Sequence, residues 1–143
     1  MKSRFNAILF SGLLILIAAA CSARVEAAAP AAVEDPPDEV VESFYEWYLA
    51  QDTSRLGDGS YRQGEQLSET FIQQVDELVA SFDEGGYDPF LCAQDVPEWL
   101  TCGEPEIEGE KASVPVETSW GTRFEVRLAL AEGDWKIADI RCR

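Results

Sequence analysis

The hydrophobic period of this chain changes near its middle. Val41, Phe44, Tyr45 and Tyr48 fall on one stripe at helical spacing, widened by Val40 and Trp47, which predicts an amphipathic helix from an N-capping Asp38 to Gln51. A second stripe of Phe71, Ile72, Val75, Leu78, Val79 and Phe82 predicts another helix. It follows a Ser68 cap, with Leu67 and Ile72 as a hydrophobic staple, and stops at Gly85-Gly86. Between them, Asp52 to Gln66 holds Gly57, Asp58, Gly59, Ser60 and Gly64 and reads as a loop.

Beyond Cys102 the period falls to two. Glu104 to Glu108 reads as a short strand turning at Gly109-Glu110, and Ala112, Val114, Val116, Thr118 and Trp120 alternate along a second. Phe124, Val126, Leu128 and Leu130 share one face of a third strand whose other face shows Arg123, Glu125 and Arg127. The last strand, Trp135 to Cys142, breaks the rule, because Trp135 and Ile137 alternate one way and Ala138, Ile140 and Cys142 the other. Either a bulge shifts its register or both faces are covered. Plain alternation puts Asp139 on the Trp135 face. Two helices before a four-stranded antiparallel meander predict an α+β domain over residues 38–143, with the helices covering one face of a curved sheet.

The N-terminus is patterned for export. Lys2 and Arg4 precede an apolar run from Ala7 to Ile17 that closes on Ala18-Ala19-Ala20-Cys21, so residues 1–20 read as a signal peptide. The run is shorter than the roughly 20 residues a membrane-spanning helix needs. Cleavage by ordinary signal peptidase competes with a lipobox-like reading in which Cys21 is diacylated and becomes the new N-terminus, although Ala18 stands where lipoboxes usually have Leu. The lipid reading is favoured, with membrane anchoring through Cys21; by resemblance to lipoproteins of bacteria with two membranes, Ser22 after it implies an outer-membrane lipoprotein facing the periplasm. Residues 21–37, rich in Ala, Pro and acids, form a flexible tether.

Charge narrows the partners. Across 143 residues there are 27 acids and 11 bases, a net charge of −16, and removing Lys2 and Arg4 with the signal makes the remainder more acidic still. Nucleic acid is an unfavourable partner for such a chain, whereas a basic protein is a favourable one. Solubility alone also accounts for the excess. No histidine occurs, which excludes Ser-His-Asp and Cys-His catalysis and histidine metal sites. Dinucleotide, phosphate-loop and EF-hand patterns are absent too, so neither a cofactor nor a metal is expected.

Asp88 to Cys102 separates the two patterns and holds Phe90 and Trp99 as expected core plugs. Asp88 precedes Pro89, and Asp95 lies two residues before Pro97, so both read as turn formers. With Cys21 lipidated, Cys92, Cys102 and Cys142 remain in an oxidising compartment and one bridge leaves one thiol over. An up-and-down meander returns Cys142 to the end where the central stretch enters, which slightly favours Cys92 to Cys142. The other two pairings stay open.

Three separated signatures, Phe44-Tyr45-x-x-Tyr48-Leu49, Asp88-Pro89-Phe90-Leu91-x-Ala93-Gln94-Asp95 and Trp135-Lys136-Ile137-x-Asp139-Ile140, together resemble the bacterial exported family called domain of unknown function 3828. The resemblance spans residues 38–142 and is most specific at Asp88, Pro89, Gln94 and Asp95. It implies a nuclear transport factor 2-like cone, helices laid in a curved sheet open at one end, and no particular activity. A cone mouth lined by Tyr45, Tyr48, Trp120, Trp135 and Asp139 would take a small molecule such as an amine or a sugar. The leading expectation is therefore a non-catalytic ligand- or protein-binding module of the cell envelope. The alternatives are an immunity or inhibitor protein that occludes a basic toxin or hydrolase, and a hydrolase-like enzyme using Asp139.

Overall fold

A computed structural model describes residues 35–51, 54–82 and 85–143. The expected signal segment, Cys21 and the tether as far as residue 34 lie outside the described residues. Helix α1 runs Pro37–Leu49 and starts on proline, with Pro36 as the cap residue. Proline's fixed φ and missing N–H suit the first helical position. Asp38 is therefore not the cap but sits with Glu39 in the first turn, where both meet the positive end of the helix dipole. The predicted stripe is the buried one, with Val41 and Phe44 fully covered.

The glycine-rich segment is not a simple loop. Helix α2, Arg55–Asp58, is capped by Ser54, and a single 3-10 turn, Ser60–Gln63, follows Gly59 at φ +76°. A Cβ on Gly59 would sit 2.5 Å from the Arg62 guanidinium, so only glycine makes this reversal without displacing that group. Helix α3, Glu69–Ala80, starts where expected, with Ser68 Oγ accepting from the Phe71 N–H at 3.2 Å. Its described helical residues stop at Ala80, short of the expected Glu84.

Five strands follow: β1 Leu100–Cys102, β2 Glu106–Glu108, β3 Lys111–Thr118, β4 Arg123–Ala131 and β5 Asp134–Cys142. They form one antiparallel sheet in the order β1-β3-β4-β5, with β2 also on β3. β1 pairs with the end of β3 and β2 with its start, so the two are one edge interrupted by Gly103-Glu104-Pro105. Proline has no N–H for the ladder, and a Cβ at Gly103 would lie 2.8 Å from the Pro115 ring. The meander is thus the predicted one, with its first strand begun earlier and broken once. The other edge is partly covered, because Ser68 donates to the Ile137 carbonyl and Ile137 to that of Gln66.

The irregular strand contains a bulge. Leu128 is opposite Ile137, but Arg127 is opposite Asp139, leaving Ala138 extra. Beyond it Ile140 and Cys142 are opposite Val126 and Phe124 on the core face, while Asp139 and Arg141 join Arg127 and Glu125 on the outer face. The extra residue overturns the placement of Asp139 with Trp135: a one-residue shift sends every later side chain to the other face.

Phe90 sits at the centre of the core, fully buried, with ring centroids of Phe44, Tyr48, Tyr61 and Phe71 at 5.0 to 5.8 Å. Trp99, the other expected plug, is instead half exposed. Cys92 and Cys142 are bonded, with Cα atoms 5.4 Å apart, and Cys102 is free. The register explains why Cys102 does not reach Cys142. Cys102, Val116, Phe124 and Cys142 form one row across four strands. Three strand spacings of about 4.8 Å put the two ends roughly 14 Å apart, far beyond disulfide reach.

Candidate functional site

The five residues expected to line a cone mouth are not brought together. Tyr45 and Tyr48 are core residues whose hydroxyls hold the central stretch: Tyr45 donates to the Phe90 carbonyl at 2.7 Å and Tyr48 to Asp88 Oδ2 at 2.6 Å. Trp135 is buried, Trp120 is half exposed beyond the end of β3, and Asp139 is on the outer face paired with Arg141. Tyr45, Tyr48 and Trp135 are buried in the one hydrophobic core with Phe44, Phe90 and Phe124.

Of the four signature residues in the centre, Asp88 and Pro89 are structural. Asp88 Oδ1 accepts from the Phe90 N–H at 2.8 Å, closing an Asx turn that drives Pro89, Phe90 and Leu91 inward. Gln94 and Asp95 are exposed. Burial raises the Asp88 carboxyl above its ordinary range, against the lowering effect of its hydrogen bonds from Tyr48 and from the Phe90 and Leu91 backbone. Burial foremost, then Asp88 itself, also lifts Tyr48 well above the usual phenol.

A raised carboxyl means the folded state binds this proton more tightly than the unfolded chain, in which it titrates near 3.8. The stabilising contribution is therefore full below that value and is lost as pH rises through the folded one. Asp88→Asn removes the titration and leaves every other carboxyl in place. Wild type is expected to gain stability relative to the variant as pH falls from neutral toward 4, read as the difference in urea midpoints; a difference constant with pH refutes the assignment.

Two residues of the core framework were not visible in the pattern. Tyr61 is buried, packs on Phe90 and donates to Asp76, which Arg62 also pairs at 2.9 Å. Arg55 is buried with its guanidinium 3.9 Å over the Trp47 ring and its Nε donating to the Trp47 carbonyl at 2.8 Å. A loop with one tyrosine and two arginines, spaced without period, offers little signal beyond their identity.

The charge is divided unevenly. Residues 35–105 carry 17 acids and two arginines, whereas residues 106–143 carry eight acids and six bases. Four of the five ion pairs among the described residues lie in the second group, where Arg123, Arg127, Arg141 and Arg143 meet Glu117, Glu125 and Asp139. A hollow of about 520 Å³ on that outer face, edged by Glu106, Lys111, Glu125, Arg127 and Asp139, is accordingly of mixed charge.

On α1 the arrangement is different. Glu39, Glu42 and Glu46 are exposed along one side of the helix, and none is in an ion pair among the described residues. Between α1 and β1 runs a groove of about 420 Å³ with Tyr45, Leu49, Leu100 and Cys102 in its walls and Glu42 and Glu46 at its edge; Trp99 borders it. Burial foremost, with Glu42 and Asp38 nearby, pushes the Cys102 thiol up to about 12, so it is a poor nucleophile at neutral pH. No group of three or more metal-ligating side chains converges among the described residues.

No family model and no curated protein matches this chain. Solved structures do. A chain of the type VI native effector–immunity complex Tae3–Tai3 from Ralstonia pickettii superposes with a TM-score of 0.64 at 22% identity, over 76% of this chain and 96% of that one. The selenomethionine form of the same complex gives 0.61 at 23% over 75% and 96%. A protein of unknown function from Bacteroides thetaiotaomicron gives 0.53 at 25% over 72% and 86%. At such identities the two complexes are similar to this chain in fold, and the architecture is a recurrent one.

Proposed function

We propose that this protein is a non-catalytic immunity or inhibitor protein, exported and held at the cell envelope by a lipid on Cys21, which binds and occludes a basic protein partner. The observation that carries this reading is the row of exposed Glu39, Glu42 and Glu46 on α1, none in an ion pair among the described residues, against strands β2 to β5 where most of the described ion pairs lie. The structural likeness to a chain of an effector–immunity complex supports it. Of those two roles, an effector needs an activity of its own, while an immunity protein needs only a complementary surface. This chain has no histidine, and Asp139 lies on the outer face in an ion pair with Arg141, which does not favour the hydrolase alternative, since that needs carboxylates buried in different environments. The filled interior likewise favours a protein over a small ligand.

The same proposal places the chain in the family called domain of unknown function 3828, with a nuclear transport factor 2-like cone whose interior is packed. Its first and central signatures meet in the structure, through Tyr45 on Phe90 and Tyr48 on Asp88, which supports reading them as one motif. The Cys92–Cys142 bridge suits an oxidising compartment and so supports export.

Affinity capture of envelope and secreted proteins on the full chain, at low and high salt, tests the function. A basic protein retained at low salt, released at high salt and inhibited when the two are mixed in equal amounts is expected. Recovery only of partners whose activity is unchanged overturns the immunity reading. An unmodified Cys21 in the intact mass of the native product overturns the anchor.

A further inference from the structure

We infer that the groove between α1 and β1 is a docking site for an extended, cationic segment of the protein partner, which adds as a strand to the free edge of β1. The inference rests on the protein-binding reading above and names the surface and the chemistry that it would use.

The edge is open in the hydrogen-bonding sense. Among the described residues β1 has β3 on one side and no strand on the other. Trp99 accepts from the Ser119 N–H at 3.1 Å and Gly103 donates to the Pro115 carbonyl at 2.8 Å, while Thr101 is opposite Glu117. Residues 99, 101 and 103 therefore turn their backbone polar groups toward β3. In an antiparallel ladder the intervening residues turn theirs the other way, so the N–H and C=O groups of Leu100 and Cys102, two residues that line the groove, point away from β3 toward the open edge. The opposite edge differs, because Gln66 and Ser68 already bond Ile137 on β5.

Charge selects the occupant. A strand added here would run beside the α1 face that carries Glu42 and Glu46, one turn apart and without a cationic partner among the described residues. Side chains alternate along a strand, so arginines or lysines at every second position would meet these carboxylates. Trp99, half exposed at the border of the groove, offers an aromatic face to a guanidinium. Leu49 and Leu100 supply apolar contact for the stems of such side chains. Main-chain bonds then give affinity and the acidic rim gives specificity, as in other strand-addition complexes. An acidic or neutral segment gains nothing from this rim.

The probe is a short peptide alternating arginine and threonine, with its glutamate-for-arginine counterpart as control, titrated into the isotope-labelled full chain and followed by amide shifts. The expected result is saturable perturbation centred on residues 42–49 and 99–103 by the arginine peptide alone. Glu42→Gln with Glu46→Gln is expected to weaken it about tenfold or more. Glu69→Gln with Glu77→Gln on α3 removes the same charge elsewhere and is expected to change it less than twofold. Shifts centred on another surface, no binding, or equal weakening by both double variants overturns the inference. A captured partner that binds the Glu42/Glu46 variant unchanged also overturns it and leaves the immunity reading standing. Failure to capture an inhibited partner removes that reading and leaves the peptide result to stand alone.

Discussion

Phe90→Ala is expected to lower the stability of the domain by about 3 to 5 kcal/mol. The reason is the number of elements that meet on this one ring. Phe44 and Tyr48 come from α1, Tyr61 from the turn after α2 and Phe71 from α3, with centroids 5.6, 5.0, 5.5 and 5.8 Å from that of Phe90. Removing the ring leaves a cavity that rigid aromatic neighbours cannot collapse to fill. Domains of this size have total stabilities of roughly 5 to 15 kcal/mol, so the variant should be marginal at 37 °C. Guanidinium unfolding gives the measurement, with the midpoint falling and the slope unchanged if the packing alone is lost. Phe90→Leu, which retains part of the volume, is expected to cost less. A loss below about 1 kcal/mol for the alanine variant shows that Phe90 is not the centre of the core.

Much of this architecture can be read from the chain. The stripes of α1 and α3 and the alternation of β3 and β4 follow from burial on one face of a regular element, and Ser68 caps α3 as its position before an apolar run suggests. The conflict of faces in β5 also announces itself. What cannot be read is where the extra residue falls, since a bulge is set by pairing with β4, and that position decides which side Asp139 takes. Trp99 and Phe90 present a similar difficulty. Both are large and apolar in one irregular stretch, and the difference between them comes from Asp88, whose Asx turn and bond to Tyr48 draw Phe90 inward.

The site was legible in a different degree. Acid excess and its concentration before the strands are matters of counting, and they point to a basic partner without locating it. The groove depends on β1, three residues long, too short to show a period. Its free edge depends on no described strand pairing β1 on the side away from β3, which pairing decides and the local sequence does not. The expected pocket failed for the converse reason: tyrosines on an amphipathic stripe have polar tips that suit a ligand, but here the tips satisfy a backbone carbonyl and a carboxylate inside the protein. A buried hydroxyl needs a partner, and the sequence does not say whether that partner is internal.

Replacing Cys92 and Cys142 together by serine is expected to cost about 4 kcal/mol. The bridge closes a loop with a sequence separation of 50, and the lost chain entropy of the unfolded state for about 50 residues gives that magnitude at 25 °C. The bridge also joins the central stretch to the last residues of β5. Cys92 has a φ of +53°, a left-handed conformation that a residue with a Cβ adopts at some cost. Without the bridge, that residue has less to hold it there, so local opening should concentrate around residues 90–93 and 140–142. Amide exchange should lose protection there first, and reduction of the wild type should reproduce the effect. Cys102→Ser is the control: its thiol lies in the same row of the sheet but takes part in no bond, and the change is expected to cost less than about 1 kcal/mol. If the double variant unfolds within about 1 kcal/mol of wild type, or if Cys102→Ser proves equally costly, the staple is not where the domain is held together.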